Sequence, residues 1–186
     1  MKVSAIATVL MASLGMVTLN ANAASTGTIT FNGEVTSNTC DVVVDNQTYD
    51  ATITLPTVST SDLSGQGKTA GRTGFVMALN NCVVQTPGKK DTVSAFFQAG
   101  QSVNLSTGRL NNTDQAGAGN VSLQLLDVTG NYQPIKVGNT SQVTETAGVK
   151  IANNQATLPY AVEYYAEGQS TAGLVKSTVV YNLQYK

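Results

Sequence analysis

The last fourteen residues of the chain are Gly173-Leu174-Val175-Lys176-Ser177-Thr178-Val179-Val180-Tyr181-Asn182-Leu183-Gln184-Tyr185-Lys186. Polar and apolar residues alternate along this stretch, and one face collects the apolar side chains of Val175, Val179, Tyr181, Leu183 and Tyr185. Alternation with a period of two predicts one long β-strand that ends at the chain terminus. A strand needs hydrogen-bond partners on both edges, and a chain that ends inside a sheet cannot fold back to supply one. We therefore expect the missing neighbour to come from another molecule.

The other end of the chain predicts export. Lys2 supplies a positive charge, residues 3–19 are mostly apolar, and Ala21-Asn22-Ala23 has the small-x-small pattern of a signal-peptidase site. A membrane anchor is the alternative, but it needs about 20 strongly apolar residues, and serine, threonine and glycine interrupt this segment. We interpret residues 1–23 as a signal peptide.

The composition indicates an all-β domain. Hydrophobic residues make up 41% of the chain and charged residues only 11%, so uncharged polar side chains must cover most of the surface. The 10 basic and 11 acidic residues are scattered and give a formal net charge of −1, which excludes the basic footprint of a nucleic-acid-binding protein. Many threonines and valines, dispersed glycines and the lack of a long helical pattern favour strands, with little helix.

The chain contains two cysteines, Cys40 and Cys82, and no histidine. They lie too far apart for a CxxC redox pair, and two thiols without histidine cannot complete a structural zinc site. In an exported chain the plain interpretation is a structural disulfide.

Seven segments carry strand patterns, separated by turn-rich loops such as 65–67 and 111–120 and by a turn at Pro87-Gly88. Many short strands without intervening helices predict one immunoglobulin-like β-sandwich, with no interdomain linker. The predicted strands are 28–36, 51–55 (ended by Pro56), 75–79, 92–98, 121–127, 156–166 and the terminal strand.

No motif in the chain indicates catalysis. A Ser-His-Asp or Cys-His arrangement needs histidine, both cysteines are assigned to the disulfide, and the carboxylates form no cluster that suggests a metal or an acid–base pair. We expect neither an enzyme nor a cofactor or metal site. A secreted, self-contained glycan-binding sandwich is the alternative function, and the absence of tryptophan counts against it.

Taken in order, several segments resemble the chaperone-usher pilins, and in particular the major subunits of type 1 and P pili. The resemblance covers nearly all of the chain after residue 23. One departure is that only Ala24, Ser25 and Thr26 precede Gly27, which is a shorter extension than such subunits usually carry. The matching features are residues 27–35, Cys40, residues 75–82, 120–127 and 158–166, and the C-terminal signature of Gly173 with the penultimate Tyr185.

This resemblance implies an immunoglobulin-like sandwich that lacks its final strand and is completed in trans by donor-strand complementation. Residues 24–35 would be an N-terminal extension, the donor strand, running into the first strand, and residues 36–186 the pilin domain. The implied donor residues are Gly27, Ile29, Phe31 and Gly33. The implied acceptor groove and chaperone contact comprise Gly173, Val175, Val179, Tyr181, Leu183, Tyr185 and Lys186.

The resemblance also implies the partners and the location of the protein. They are identical or related pilin subunits, a periplasmic chaperone and an outer-membrane usher, with assembly on the cell surface as an adhesive fimbria that can contact host surfaces. From alternation alone, Ile29 and Phe31 fit an ordinary first strand of a closed sandwich equally well. Gly173 alone fits a turn glycine.

Overall fold

The structure is a computed structural model and describes residues 27–85 and 90–186. The chain divides into two units, Met1–Val35 and Thr36–Lys186. The predicted signal peptide (1–23), the first residues of the extension (24–26) and the predicted Pro87-Gly88 turn lie outside the described residues.

The second unit consists of two antiparallel sheets and one short helix. The larger sheet has the strand order β1-β2-β9-β6-β5-β4, with β7 paired to β6, and the smaller has the order β10-β3-β8. The elements are β1 Thr39–Val44, β2 Thr69–Val83, β3 Thr92–Phe97, β4 Val103–Asn104, β5 Arg109–Asn111, β6 Val121–Asp127, β7 Gln133–Pro134, α1 Gln142–Glu145, β8 Val149–Lys150, β9 Ala156–Ala166 and β10 Tyr181–Tyr185.

The two sheets pack face to face around a main hydrophobic core, and a smaller cluster contains Leu63. Tyr160 on β9 lies at the centre of the main core, with its ring 5.8 Å from that of Phe75 and edge-on to that of Phe97 at 5.2 Å. The Tyr160 hydroxyl accepts a hydrogen bond from the backbone N–H of Ala95 on the opposite sheet. Burial raises the pKa of Tyr160 to about 12, because the phenolate would lose its hydration. The predicted β-sandwich is therefore confirmed.

Several predicted strands are present. The predictions 121–127 and 156–166 coincide with β6 and β9, and 92–98 is one residue longer than β3. The segment 75–79 forms the centre of a much longer strand, β2, which continues through glycine-rich residues that carry no alternating pattern. The short strands β1, β4, β5, β7 and β8 were not predicted, because two to six residues hold too little pattern to stand out.

Two predicted strands are wrong. Residues 28–36 form no strand, and the first strand, β1, begins only at Thr39. Residues 51–55 also form no strand. Their backbone is held instead by the side-chain amide of Gln47, which accepts from the N–H of Thr52 and donates to its carbonyl, both at 3.1 Å. Both segments alternate as strands do, but alternation does not supply the second backbone that a ladder requires.

The predicted disulfide is confirmed. Cys40 on β1 is bonded to Cys82 on β2, across a sequence separation of 42. These two strands are neighbours in the larger sheet, with Thr39 opposite Val83. The bond therefore fastens the edge strand β1 to the body of the sheet.

We expect replacement of Cys40 by serine to leave little folded subunit. A crosslink that closes a loop of this length stabilises a domain by about 4 kcal/mol on the loop-entropy model. This is a large part of the 5–15 kcal/mol that is typical of a whole domain. The measurement is the amount of exported subunit on non-reducing gels, with Ser37→Ala as a control in the same segment. Free thiols in the folded wild-type protein would contradict the assignment.

Candidate functional site

β10 lies at the edge of the smaller sheet and uses only half of its backbone groups to pair with β3. The N–H of Lys186 donates to the carbonyl of Thr92 at 2.8 Å, and the N–H of Gln98 donates to the carbonyl of Val180 at 2.8 Å. In an antiparallel ladder the bonded residues alternate. The N–H and C=O groups of the even-numbered residues of β10 therefore point toward β3, and those of the odd-numbered residues point away from it.

The predicted terminal strand is too long, because the residues before β10 are extended but pair with a loop. The carbonyl of Leu174 accepts from the N–H of Ala118 at 2.9 Å, and the carbonyl of Lys176 accepts from the N–H of Thr113 at 2.7 Å. The side-chain amide of Asn112 donates to Leu174 and accepts from Lys176, both at 2.9 Å. A loop and a side chain thus occupy the position that a neighbouring strand would take.

Gly173 lies where two backbones come very close together. A Cβ atom at Gly173 would collide with the backbone of Gly117 and Ala118, and a Cβ atom at Gly117 would collide with the carbonyl of Leu174. Only glycine permits such a close approach at both positions. Glycine is therefore required at position 173 because its backbone contacts the backbone of residues 117 and 118. This contact holds the beginning of the terminal segment in place.

The odd-numbered residues from Val175 to Tyr185 form what we call the open edge. Among the described residues, the backbone groups of Val175, Ser177 and Val179 make no hydrogen bond, and those of Tyr181, Leu183 and Tyr185 face away from β3. Their apolar side chains are half-buried and pack against the core. The hydroxyl of Ser177 is buried and has no partner within the described part of the chain. The open edge thus combines unpaired backbone with apolar side chains.

A second extended segment, residues 49–58, follows β1 and lies beside the open edge. The Tyr181 hydroxyl donates to the Tyr49 carbonyl at 2.8 Å. At the other end, Val58 and Val175 pack against the same small cluster, which contains Leu63. Ile53 and Leu55 between these ends pack against the main core. Within the described ranges, residues 53–58 form no backbone hydrogen bond. We call the space between the two segments, which holds no strand of the described residues, the groove.

The titratable side chains at the end of the open edge are partly buried against their own domain. Burial raises the pKa of Tyr181 and of Tyr185 above the usual value for tyrosine, because the phenolate is disfavoured there. Burial lowers the pKa of Lys186, whose Nζ donates to the carbonyl of Thr146 at 2.6 Å. The side chain of Lys186 is thus held by its own subunit.

The predicted donor residues lie in the other unit. Its described part, residues 27–35, has no strand, and Ile29 and Phe31 are 78% and 88% exposed. A large aromatic ring at that exposure is costly in water. Gly27 and Gly33 flank these two side chains in the sequence.

Some groove residues were missed from the sequence. Ile53 and Leu55 were recognised as a strand pattern but not as part of the site, because their lack of a ladder is a tertiary property. Asn112 and Ser177 carried no signal, since both are common residues of loops and polar surfaces.

A cleft of about 790 Å³ lies elsewhere, lined by residues of the larger sheet and of α1. Its charged groups are already paired: Arg109 donates to Glu167 at 2.7 Å and lies 3.8 Å above the Tyr165 ring. The hydrogen bond from Arg109 lowers the pKa of Glu167 below its usual value. Because the two charges neutralise each other and Glu167 also accepts from the hydroxyl of Ser122, we assign the pair a structural role.

Residues 27–85 and 90–186 contain no group of three or more potential metal ligands. Over the same ranges, no helix is long and apolar enough to cross a membrane.

Comparison with known proteins identifies the family of the chain. Residues 55–186 match the family model described as type-1 fimbrial protein, A. The chain is 38% identical to the F17 fimbrial protein of Escherichia coli, covering 90% of this chain and 91% of that protein. It is 39% identical to the major fimbrial subunit SMF-1 of Stenotrophomonas maltophilia, covering 90% and 96%. The crystal structure of the P pilus rod subunit PapA shares the fold, with a TM-score of 0.59, 18% identity and coverage of 79% and 99%.

Proposed function

Since this chain belongs to the type-1 fimbrial protein family, we propose that its groove receives residues 27–33 of a neighbouring subunit as a donor strand. The chain is a structural subunit of a fimbria that assembles at the cell surface. The proposal concerns how its copies join: Gly27, Ile29, Phe31 and Gly33 of one subunit enter the groove of the next.

The observation that carries the proposal is the unpaired backbone on both sides of the groove. The open edge, Val175 to Tyr185, and the segment 53–58 both lack a ladder on this side among the described residues. One inserted strand could bond to both at once, and each new backbone hydrogen bond would contribute about 1 kcal/mol net. A strand is the element that this geometry fits.

The donor side chains add a hydrophobic contribution. Ile29 and Phe31 are exposed, and each would gain about 1.5–3 kcal/mol on full burial. They alternate with polar residues, so both would enter the groove from the same face of a strand. Gly27 and Gly33 have no side chain and would let the donor backbone lie close to the acceptor sheet.

The open edge also favours a requirement for a chaperone before the subunit is assembled. An unpaired edge with half-buried apolar side chains is an aggregation hazard for a free subunit. We infer that a periplasmic chaperone covers this groove after export and that an outer-membrane usher exchanges it for the next donor. Val179, Tyr181, Leu183 and Tyr185 would line the chaperone contact, with Gly173 and Val175 at its far end and Lys186 at the terminus.

A gel experiment tests the polymer. Surface material from cells expressing the chain is heated in SDS at graded temperatures, and the subunit is detected by blotting. We expect a ladder of multimers that collapses to monomer only on boiling or heating in acid, because many modest contacts and a full ladder dissociate together. A protein that runs as monomer in mild SDS would overturn the donor-strand proposal.

A further inference from the structure

We propose that the side-chain amide of Asn112 is a positioning residue for the groove, because it sets the Val175 end of the open edge for the incoming donor strand. This inference rests on the proposed function. It adds a specific residue at the border of the groove on which donor capture depends.

The amide of Asn112 uses its whole hydrogen-bonding capacity. Its Oδ1 accepts from the N–H of Lys176 at 2.9 Å and from that of Asp114 at 3.1 Å. Its Nδ2 donates to the carbonyl of Leu174 at 2.9 Å and to that of Ala118 at 3.0 Å. Two of these bonds hold the amide in its own loop, and the other two hold the terminal segment.

The two bonds to the terminal segment imitate a neighbouring strand. One amide group bonds the carbonyl of Leu174 and the N–H of Lys176, the groups that flank Val175. A residue of an adjacent strand offers the same pair, one N–H and one C=O. Since this side of the segment is satisfied by Asn112, the N–H and C=O of Val175 are directed to the opposite side, into the groove.

Other contacts show that this place is built tightly around the amide. A Cβ atom at Gly117 would lie 2.8 Å from Nδ2 of Asn112 and would also collide with the carbonyl of Leu174. The loop and the terminal segment are therefore in direct backbone contact where the amide bridges them. Val175 itself packs against the small cluster that also holds Val58 on the other border of the groove.

Asn112→Asp is the test variant, because it keeps the size and the acceptor oxygen but removes both N–H donors. A carboxylate would then face the carbonyls of Leu174 and Ala118. Asn111→Asp is the matched control: it makes the same change of charge one residue earlier, at an exposed side chain with no hydrogen bond among the described residues. Both are made in the full chain that carries Phe31→Arg, so that only an added peptide can act as donor.

The assay measures dissociation of a fluorescent synthetic peptide of residues 24–35 from each chain refolded with it. We expect about tenfold faster dissociation from the Asn112→Asp chain, the equivalent of about one to two lost hydrogen bonds. We expect a change of less than about twofold for Asn111→Asp. The carboxylate would repel the carbonyl of Leu174, which also accepts from the N–H of Ala118 at 2.9 Å, so hydrogen exchange at the Ala118 amide should accelerate only in the Asn112→Asp chain.

Shortened peptides separate positioning from general destabilisation. Peptide 27–35 lacks the N-terminal end of the donor segment and peptide 24–32 lacks its C-terminal end. Because Val175 lies at one end of the open edge, only one of the two peptides still reaches it. We expect the effect of Asn112→Asp to vanish with the peptide that no longer reaches Val175 and to persist with the other, as in a double-mutant cycle. The same loss with all peptides, or equal dissociation from the two variants, would overturn the positioning role.

Failure of the proposed function gives a different result. If the Phe31→Arg chain with Asn112 intact captures no peptide at all, the donor-strand proposal is wrong. The exchange rate of the Ala118 amide, which bonds the carbonyl of Leu174, still decides in the two variants whether Asn112 holds the terminal segment. Equal exchange rates would show that it does not.

Discussion

A chain that carries Phe31→Arg is expected to be exported and folded but to form no SDS-resistant multimers. The substitution removes the largest apolar side chain of the donor segment, which would contribute about 1.5–3 kcal/mol on full burial. It also brings a charge among apolar side chains such as those of Val179 and Leu183, and burying a charge costs still more. The open edge is part of the other unit of the chain, Thr36–Lys186, so the variant should still be captured by a chaperone. The measurement is the multimer ladder alongside co-purification with the chaperone.

The matched control for this prediction is Asn32→Arg. It adds the same charge at the next residue, which lies on the opposite face of an alternating strand. We expect Asn32→Arg to assemble nearly as well as the wild type, and Glu34 to tolerate substitution for the same reason. Equal fimbria formation by Phe31→Arg and the wild type would falsify the donor role of this segment.

Deletion of residues 183–186 is expected to remove nearly all soluble subunit. The deletion takes away Leu183 and Tyr185 from the core contact and the hydrogen bonds between Lys186 and Thr92. It leaves residues 92–95 of β3 without a neighbouring strand on that side. Losses of only 1–2 kcal/mol already change the abundance of a protein several-fold in cells, and this loss is larger. We expect less than about a tenth of the wild-type amount and no capture by the chaperone.

Tyr185→Ala is the graded companion to the deletion. It loses a half-buried ring but keeps the backbone pairing with Val93, so capture should weaken without being lost. The deciding measurement is the amount of each variant that co-purifies with the chaperone. A truncated chain that accumulates as a stable, soluble monomer would show that the domain does not need this edge, and the incomplete-sandwich interpretation would then be wrong.

The sequence determined the apolar side chains of the core strands and the disulfide. The predicted bounds of β6 and β9 agree with the structure, and the apolar residues Leu158, Tyr160 and Val162 of β9 are buried as predicted. Tertiary packing buries more than the pattern indicates, because every residue of β6 is buried. The pairing of Cys40 with Cys82 followed from the lack of any other use for two thiols in an exported chain. These properties depend on the side chains themselves, which the sequence states directly.

Only the tertiary structure decided which alternating segments form ladders. Residues 28–36, 51–55 and 174–180 alternate as clearly as β9, yet none of them is a strand. Alternation is a pattern within one segment, whereas a ladder forms only when a second backbone lies alongside and accepts and donates hydrogen bonds. Asn112 occupies the place of a strand beside Val175, and its role depends on a contact made across 62 residues of chain. The sequence thus determined the apolar residues of the open edge, and the packing of distant segments decided that the backbone there stays unpaired among the described residues.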